Sequence, residues 1–372
     1  MLDYLKNNTI YKNKYKTHKD AIIVSCFFNP QNSKYRLKAF DIFYDKIKHL
    51  NHQIIECVIG DSKPQLNYPN IKTIHTKNLL WHKETLLNKV ISELPQKYKY
   101  VFWIDADVIF TNNNWLVDGV EQLKTNNIIQ PFKYCFHLDK DQIKSDKVVT
   151  DLNKKIWRSF CSNYVENKSW MDNDYDTHGH VGFAWGAKRE ILDTIPLYDK
   201  ALIGGADHII AHASANQINH CCISKAFIEN IDEINIWSEK FAKLIDGKIG
   251  FVEGELYHIW HGDIEKRQYL KRIHNFSAHN KNITQKDING FYITEDDSYV
   301  REYFSIREVS DDSTIIENVE KIITYSEHIT KNDDVNIEST QYLYEQKEEI
   351  EFGGGDAGGS GSGGDWLNDN FS

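Results

Sequence analysis

The sequence predicts an α/β fold, a mostly parallel sheet flanked by helices, and three observations carry that expectation. Between residues 21 and 136, strand-length apolar runs alternate with segments whose apolar residues recur at helical spacing, joined by short links. Most runs are apolar on successive residues, as strands covered on both faces require. No Gly-x-Gly-x-x-Gly follows the first run, so a dinucleotide site is not expected.

Residues 1–20 read as a basic arm, and 21–30 as a first buried strand ending in a turn. Across 36–50, Leu37, Phe40, Phe43, Tyr44 and Ile47 mark one face of a helix. A second strand over 53–62 ends in Gly60-Asp61-Ser62, and a short third lies at 71–75. Trp81-His82-Lys83-Glu84 then leads a helix with Leu86, Leu87, Val90, Ile91 and Leu94 on one face, stopped by Pro95. Apart from two aspartates, 97–110 is an almost continuous apolar and aromatic run, and it predicts a single central strand ending at Asn112-Asn113-Asn114. Beyond it, 115–124 reads as a helix, 128–136 as a strand, 139–176 as a polar, mobile excursion near the site, and 188–194 as a helix. Gly204-Gly205-Ala206-Asp207 opens a helix at Ile209, with further elements at 226–243 (helix) and 249–252 (strand). A basic helical stretch with Lys266, Arg267, Lys271 and Arg272 follows.

Four regions result: the arm (1–20), a main α/β domain (21–275), a small C-terminal appendage (276–345) and a flexible tail (346–372). In the appendage, 291–293 and 299–307 suit a hairpin or strand–helix unit, and 315–329 a helix. The tail is Gly- and Ser-rich and ends in an acidic peptide carrying Trp366, Leu367 and Phe371, a pattern suited to docking on a protein partner.

Composition narrows the function. The chain has 372 residues, 41% hydrophobic and 26% charged, as soluble globular proteins do, and no apolar segment long enough to span a membrane. A net charge of −10 argues against a surface built generally to grip nucleic acid. Lys140, Lys144, Lys147, Lys154 and Lys155 keep a local basic path open. The six cysteines are scattered, without metal-type pairs, so reduced thiols and a cytoplasmic location are expected. The polar, Lys-rich N-terminus has no signal-peptide pattern.

Chemistry concentrates at Trp103-Ile104-Asp105-Ala106-Asp107. A strand period of two places Trp103, Asp105 and Asp107 on one face. Two carboxylates one repeat apart beside a core repel each other and lose hydration, and a divalent cation compensates both costs. Mg2+ or Mn2+ takes one or two carboxylates and shares its remaining positions with water and phosphate oxygens. The alternative is that the pair caps the strand and starts the turn.

The strand 21–30, the second strand ending Gly60-Asp61-Ser62, the helix with Leu87-Asn88 and then Trp103-Ile104-Asp105-Ala106-Asp107 together resemble the nucleotide-binding half of GT-A glycosyltransferases, and are similar to the family 2 group. Gly182-Phe183-Ala184-Trp185-Gly186 and Gly204-Gly205-Ala206-Asp207 resemble the acceptor half of galactosyltransferase-like members. The resemblance covers residues 20–275 and implies a metal-dependent transferase moving a sugar from a nucleotide donor, UDP-linked by expectation, to an acceptor hydroxyl. It implies a metal on Asp105 and Asp107, completed by His258 or His261, and Asp207 as the base of an inverting transfer. Phe27, Asn29, Asp61, Lys83, Asn88, Asp105, Trp185 and Arg267 are then the donor contacts, with Lys83 standing in for the basic residue that Leu87 replaces. Trp260 is a second candidate for stacking on sugar. The bland reading of Asp207 is a helix N-cap.

The acceptor is open: a glycan, a protein or a hydroxymethylated DNA base. Two other readings compete. A haloacid dehalogenase-type phosphatase also carries Asp-x-Asp after an apolar strand, but early in its domain and followed by Thr or Val at a set spacing. A non-catalytic sugar-nucleotide or glycan binding protein on the same fold is the other.

Overall fold

The computed structural model describes residues 14–138, 156–166, 178–202, 204–220, 223, 227, 230–262 and 283–306. In chain order the elements are β1 (Ala21–Phe28), α1 (Lys34–Ile47), β2 (His52–Ile59), β3 (Ile71–Thr76), α2 (Lys83–Glu93), β4 (Tyr100–Ile104) and β5 (Val108–Phe110). There follow α3 (Trp115–Thr125), β6 (Ile128–Gln130), β7 (Tyr134–His137), β8 (Ile156–Arg158), α4 (Phe160–Glu166), β9 (Ala184–Lys188) and α5 (Arg189–Thr194). The last are α6 (Ala206–Ser214), α7 (Ile231–Ile245), β10 (Ile249–Phe251), β11 (Glu255–His258) and α8 (Ser298–Ile306).

A seven-stranded sheet runs β10-β6-β9-β4-β1-β2-β3. All its pairings are parallel except those of β9, which is antiparallel to β4 and β6. Successive residues of β1 and β4 feed opposite cores, as the period of two demands. Ile22, Val24, Val101 and Trp103 pack under α2, while Ile23, Phe27, Phe102 and Ile104 pack with α1 and α3. Both faces are therefore covered, which is why these strands read as unbroken apolar runs. Phe102 lies across Gly186 of β9, where an added Cβ would come within 2.6 Å of the ring. Only glycine lets the two strands pair under that side chain.

A second sheet, β5-β11-β7-β8, lies beyond the carboxyl end of β4. Its existence corrects two expectations. Residues 97–110 do not form one strand: β4 stops at Ile104, and β5 begins at Val108 in the other sheet. At the end of β4, Ser25 Oγ donates to the Ile104 carbonyl (2.7 Å), and Asp105 N–H makes the last bond in register with β9, to the Phe183 carbonyl (2.7 Å). Phe183 has φ 77°, so the partner chain bends away there. Asp105 and Asp107 thus occupy the turn between two sheets, and they do not share a strand face with Trp103. Likewise 128–136 divides into β6 and β7, because Pro131 has no N–H to continue the ladder. Within the predicted polar excursion, the described residues include β8 and α4.

Part of the predicted appendage packs on the main domain. Asp297 accepts from Leu79 N–H (2.8 Å), and Phe304 of α8 stacks on Trp81 at 5.0 Å. Among the described residues no helix is long and apolar enough to cross a membrane. The arm over 1–13, the basic 140–155 stretch, the 315–329 helix and the tail lie outside the described residues.

Candidate active site

The turn after β4 opens into a cleft at the carboxyl ends of β1 and β4, where open α/β sheets place their ligands. Phe27 and Phe28 from β1, Lys83 from α2, and Asp105 and Asp107 are among its walls. Two groups of side chains meet there, one on each side of Ala106.

On the side of the small sheet stands Asp107. Its carbonyl accepts from Ile259 N–H (2.8 Å), and antiparallel β5–β11 pairing sets His258 opposite Val108. These contacts bring residues about 150 positions apart into one group. Asp107 Oδ2 lies 3.0 Å from His261 Nε2 and 3.7 Å from His258 Nε2. Both imidazoles are buried. One donor atom from each of the three residues falls within 4.8 Å of the other two. Burial would raise the Asp107 carboxyl, but the two facing imidazoles outweigh it and hold the group well below the usual carboxylate range.

A carboxylate oxygen and two imidazole nitrogens converging on one point suit Mn2+ or a similar borderline cation. Three protein ligands leave further positions for water and a substrate oxygen. Asp105 is not in this group, and His258 and His261 both are.

On the side of the large sheet stands Lys83. Its ammonium lies 2.8 Å from Asp105 Oδ1 and 3.3 Å from Asp207 Oδ2. Asp207 is in the first turn of α6, 1% exposed. The N-cap of that helix is Gly205 at φ 95°, following Gly204 at φ 90°. Consecutive left-handed residues are why the sequence needs two glycines there. Asp207 is therefore not the N-cap, and its carboxylate sits at the positive end of the helix dipole. Burial raises Asp105 to about 7; Lys83 opposes that shift, while Asp207 and Asp107 add to it. Burial works against the Lys83 ammonium, yet the surrounding carboxylates carry it well above its ordinary value.

The remaining predicted donor contacts divide. Phe27 is buried in the cleft wall, edge-on to Phe40 at 5.0 Å. Asn29, at the end of β1, holds a turn: Nδ2 donates to Ser33 O and Gln65 Oε1, and Oδ1 accepts from Ser33 N–H. Asp61 is exposed beyond β2, in the turn that Gly60 makes at φ 57°. Asn88 is engaged elsewhere: its amide donates to and accepts from the backbone of Leu197, at 2.8 and 2.9 Å, and so joins α2 to the chain after α5. Trp185 is 1% exposed, stacked on Trp103, with its indole N–H on the Val181 carbonyl. Such a ring has no face open to a sugar. Trp260 packs edge-on against Tyr35 at 4.9 Å. Arg267 lies outside the described residues.

Two groups in the site escape a sequence reading. Glu84, next to Lys83, is 4% exposed, and burial raises its carboxyl to about 8. Arg36, from the first turn of α1, lines the cleft across from Lys83's helix. The only sequence signal for either was a charged residue at the start of an amphipathic helix, which ordinarily marks a solvated end.

No protein-family model and no curated protein matches this chain. Solved structures do resemble it. One is glucosyl-3-phosphoglycerate synthase from Mycobacterium tuberculosis in complex with Mn2+, uridine diphosphate and phosphoglyceric acid, at 11% identity and TM-score 0.32, covering 77% of this chain and 84% of that one. The same synthase with Mg2+ and uridine diphosphate matches at 10% identity and TM-score 0.32, covering 77% and 85%. Another is the catalytic domain of Drosophila β1,4-galactosyltransferase 7 with xylobiose, at 9% identity and TM-score 0.28, covering 63% and 64%.

Proposed function

We propose that this chain is a metal-dependent glycosyltransferase that moves a sugar from a nucleotide donor, UDP-linked, to an acceptor hydroxyl with inversion. The observation that carries the reading is that the Asp107–His258–His261 group and the Lys83–Asp105–Asp207 group meet at one turn, with Lys83, Asp105 and Asp107 lining the same cleft. Asp107, His258 and His261 would hold Mn2+ or Mg2+. Bound there, the ion supplies charge neutralisation for a leaving diphosphate.

The chain's own residues do the rest. Lys83 presents an ammonium between Asp105 and Asp207 in the cleft wall, so an incoming diphosphate competes with those two carboxylates for it. Asp207, released from that ion pair, is the carboxylate that takes the proton from the acceptor hydroxyl, and its position in the first turn of α6 fixes its direction. Asp105 orients Lys83. Phe27 supplies an apolar wall and Arg36 a second cation. An acceptor hydroxyl is as far as this chemistry identifies the second substrate.

A panel of nucleotide sugars with Mn2+, with products detected by mass spectrometry, tests the reading. Turnover on one donor, abolished by chelator and restored by Mn2+, is expected. Absence of both transfer and donor hydrolysis across the panel, with nucleotide binding intact, would show a binding protein instead.

A further inference from the structure

A second group of imidazoles lies behind Asp207. His208 and His212 are one turn apart on α6, so both rings project from the same side of the helix. His178 and His220 close on them from the chain before β9 and the chain after α6. His178 is the hub, its ring centroid 5.4 Å from His208, 5.0 Å from His212 and 5.9 Å from His220. His212 and His220 are 4.8 Å apart, and His208 and His212 are 6.4 Å apart with nearly parallel planes. His178, His208 and His212 are each at most 3% exposed, and His220 is half-buried at the rim.

We propose that His178, His208, His212 and His220 form a binding site for a transition-metal ion of the Zn2+ class, separate from the Asp107 centre. Zn–N bonds of about 2.0–2.1 Å place a ring centroid roughly 3.2 Å from the ion, and two centroids of a tetrahedral set about 5 Å apart. The observed separations run from 4.8 to 6.4 Å, so binding requires the rings to rotate and draw their nitrogens together. His178 Nδ1 is 2.8 Å from the Gly179 carbonyl, an interaction that fixes the proton on Nδ1 and leaves Nε2 with its lone pair. Burial keeps the His178, His208 and His212 rings neutral, the form that binds metal. An ion held here clasps the chain leading to Phe183, whose carbonyl anchors Asp105, to the helix that carries Asp207. Its role is to fix the floor of the cleft. It takes no part in the transfer chemistry, and the proposal stands without the transferase reading.

Elemental analysis of the full chain, purified without chelator, should find about one equivalent of zinc per chain that survives Asp107→Ala. His212→Gln and His220→Asn should each lose that equivalent and lower the melting temperature. The half-buried rim position of His220 makes its variant the one that folds in any case. Cobalt(II) replacing zinc should give the visible absorption of a tetrahedral nitrogen site in the wild type and not in His220→Asn. The proposal is overturned if the metal-free chain takes up neither Zn2+ nor Co2+ once Asp107 is replaced. It is equally overturned if His212→Gln and His220→Asn retain the full equivalent.

Discussion

Asp105 and Asp107 are two residues apart, yet the structure assigns them to different halves of the molecule. Asp105 closes the large sheet, with its backbone N–H on Phe183 and its carboxylate on Lys83. Asp107 opens the small sheet and faces two imidazoles from β11 and the chain beyond it. Burial acts on both, but their neighbours drive them apart: Asp107 is held well below the ordinary carboxylate range and Asp105 rises to about 7. An Asp-x-Asp pair is therefore not one chelating unit here. In the function proposed above, Asp107 serves as a ligand on one side of the turn and Asp105 as an organiser of charge on the other.

The contrast is broken most severely at Asp107. Asp107→Ala should cut transfer roughly 10³-fold or more, since several kcal/mol of charge stabilisation depend on it. Mn2+ titration by calorimetry should show the loss directly. Near-normal turnover of that variant in excess chelator would refute the metal half of the comparison.

On the other side, Asp207→Asn should lower kcat by about 10²–10⁴ with donor binding kept or tightened, since one competitor for Lys83 loses its charge. Initial rates at saturating donor, set beside nucleotide titrations, separate the two effects. A matching loss of donor affinity would make Asp207 a donor contact and leave the base unassigned.

The buried acids next to Lys83 sharpen the comparison through pH. Glu84 titrates at an ordinary 4.5 when unfolded and about 8 in the fold. The folded state thus binds the extra proton between those values. Its stabilising effect is full below about 4.5 and is lost as pH rises through about 8. Denaturant unfolding in chelator should show the wild type losing stability relative to Glu84→Gln as pH rises across that window, so that the two pH slopes differ. An unchanged slope in the variant would place the titration elsewhere.

The smallest effect belongs to a residue that looked functional. Asn88→Ala should destabilise the chain by about 1–3 kcal/mol, because the Leu197 backbone groups lose both partners. Its kinetic constants for donor should stay at wild-type values. A raised KM without a change in melting temperature would return Asn88 to the donor site.

Much of the architecture is legible in the sequence itself. β1, β2, α2 and β4 follow from unbroken apolar runs and helical spacing, because burial on both faces selects for those patterns directly. Asp107, Asp207, Lys83 and the pair His258 and His261 were also marked, by acids beside a core strand, a glycine pair before a helix, and histidines after a late strand. Residue types at the right points of an α/β pattern carry that much information.

Partners were decided only by tertiary structure. Whether 97–110 is one strand or two depends on where Phe183 turns, a long-range fact. Trp185 and Asn88 carry chemistry suited to sugar and phosphate, but β9 pairing turns one into the core and the chain after α5 occupies the other. Glu84 and the cluster of His178 with His208, His212 and His220 become notable only through packing, a property of the whole fold. Local sequence determines which elements form, through backbone propensity and apolar period. Which polar groups share a low-dielectric space depends on contacts between residues tens to hundreds of positions apart, and no local pattern encodes that distance.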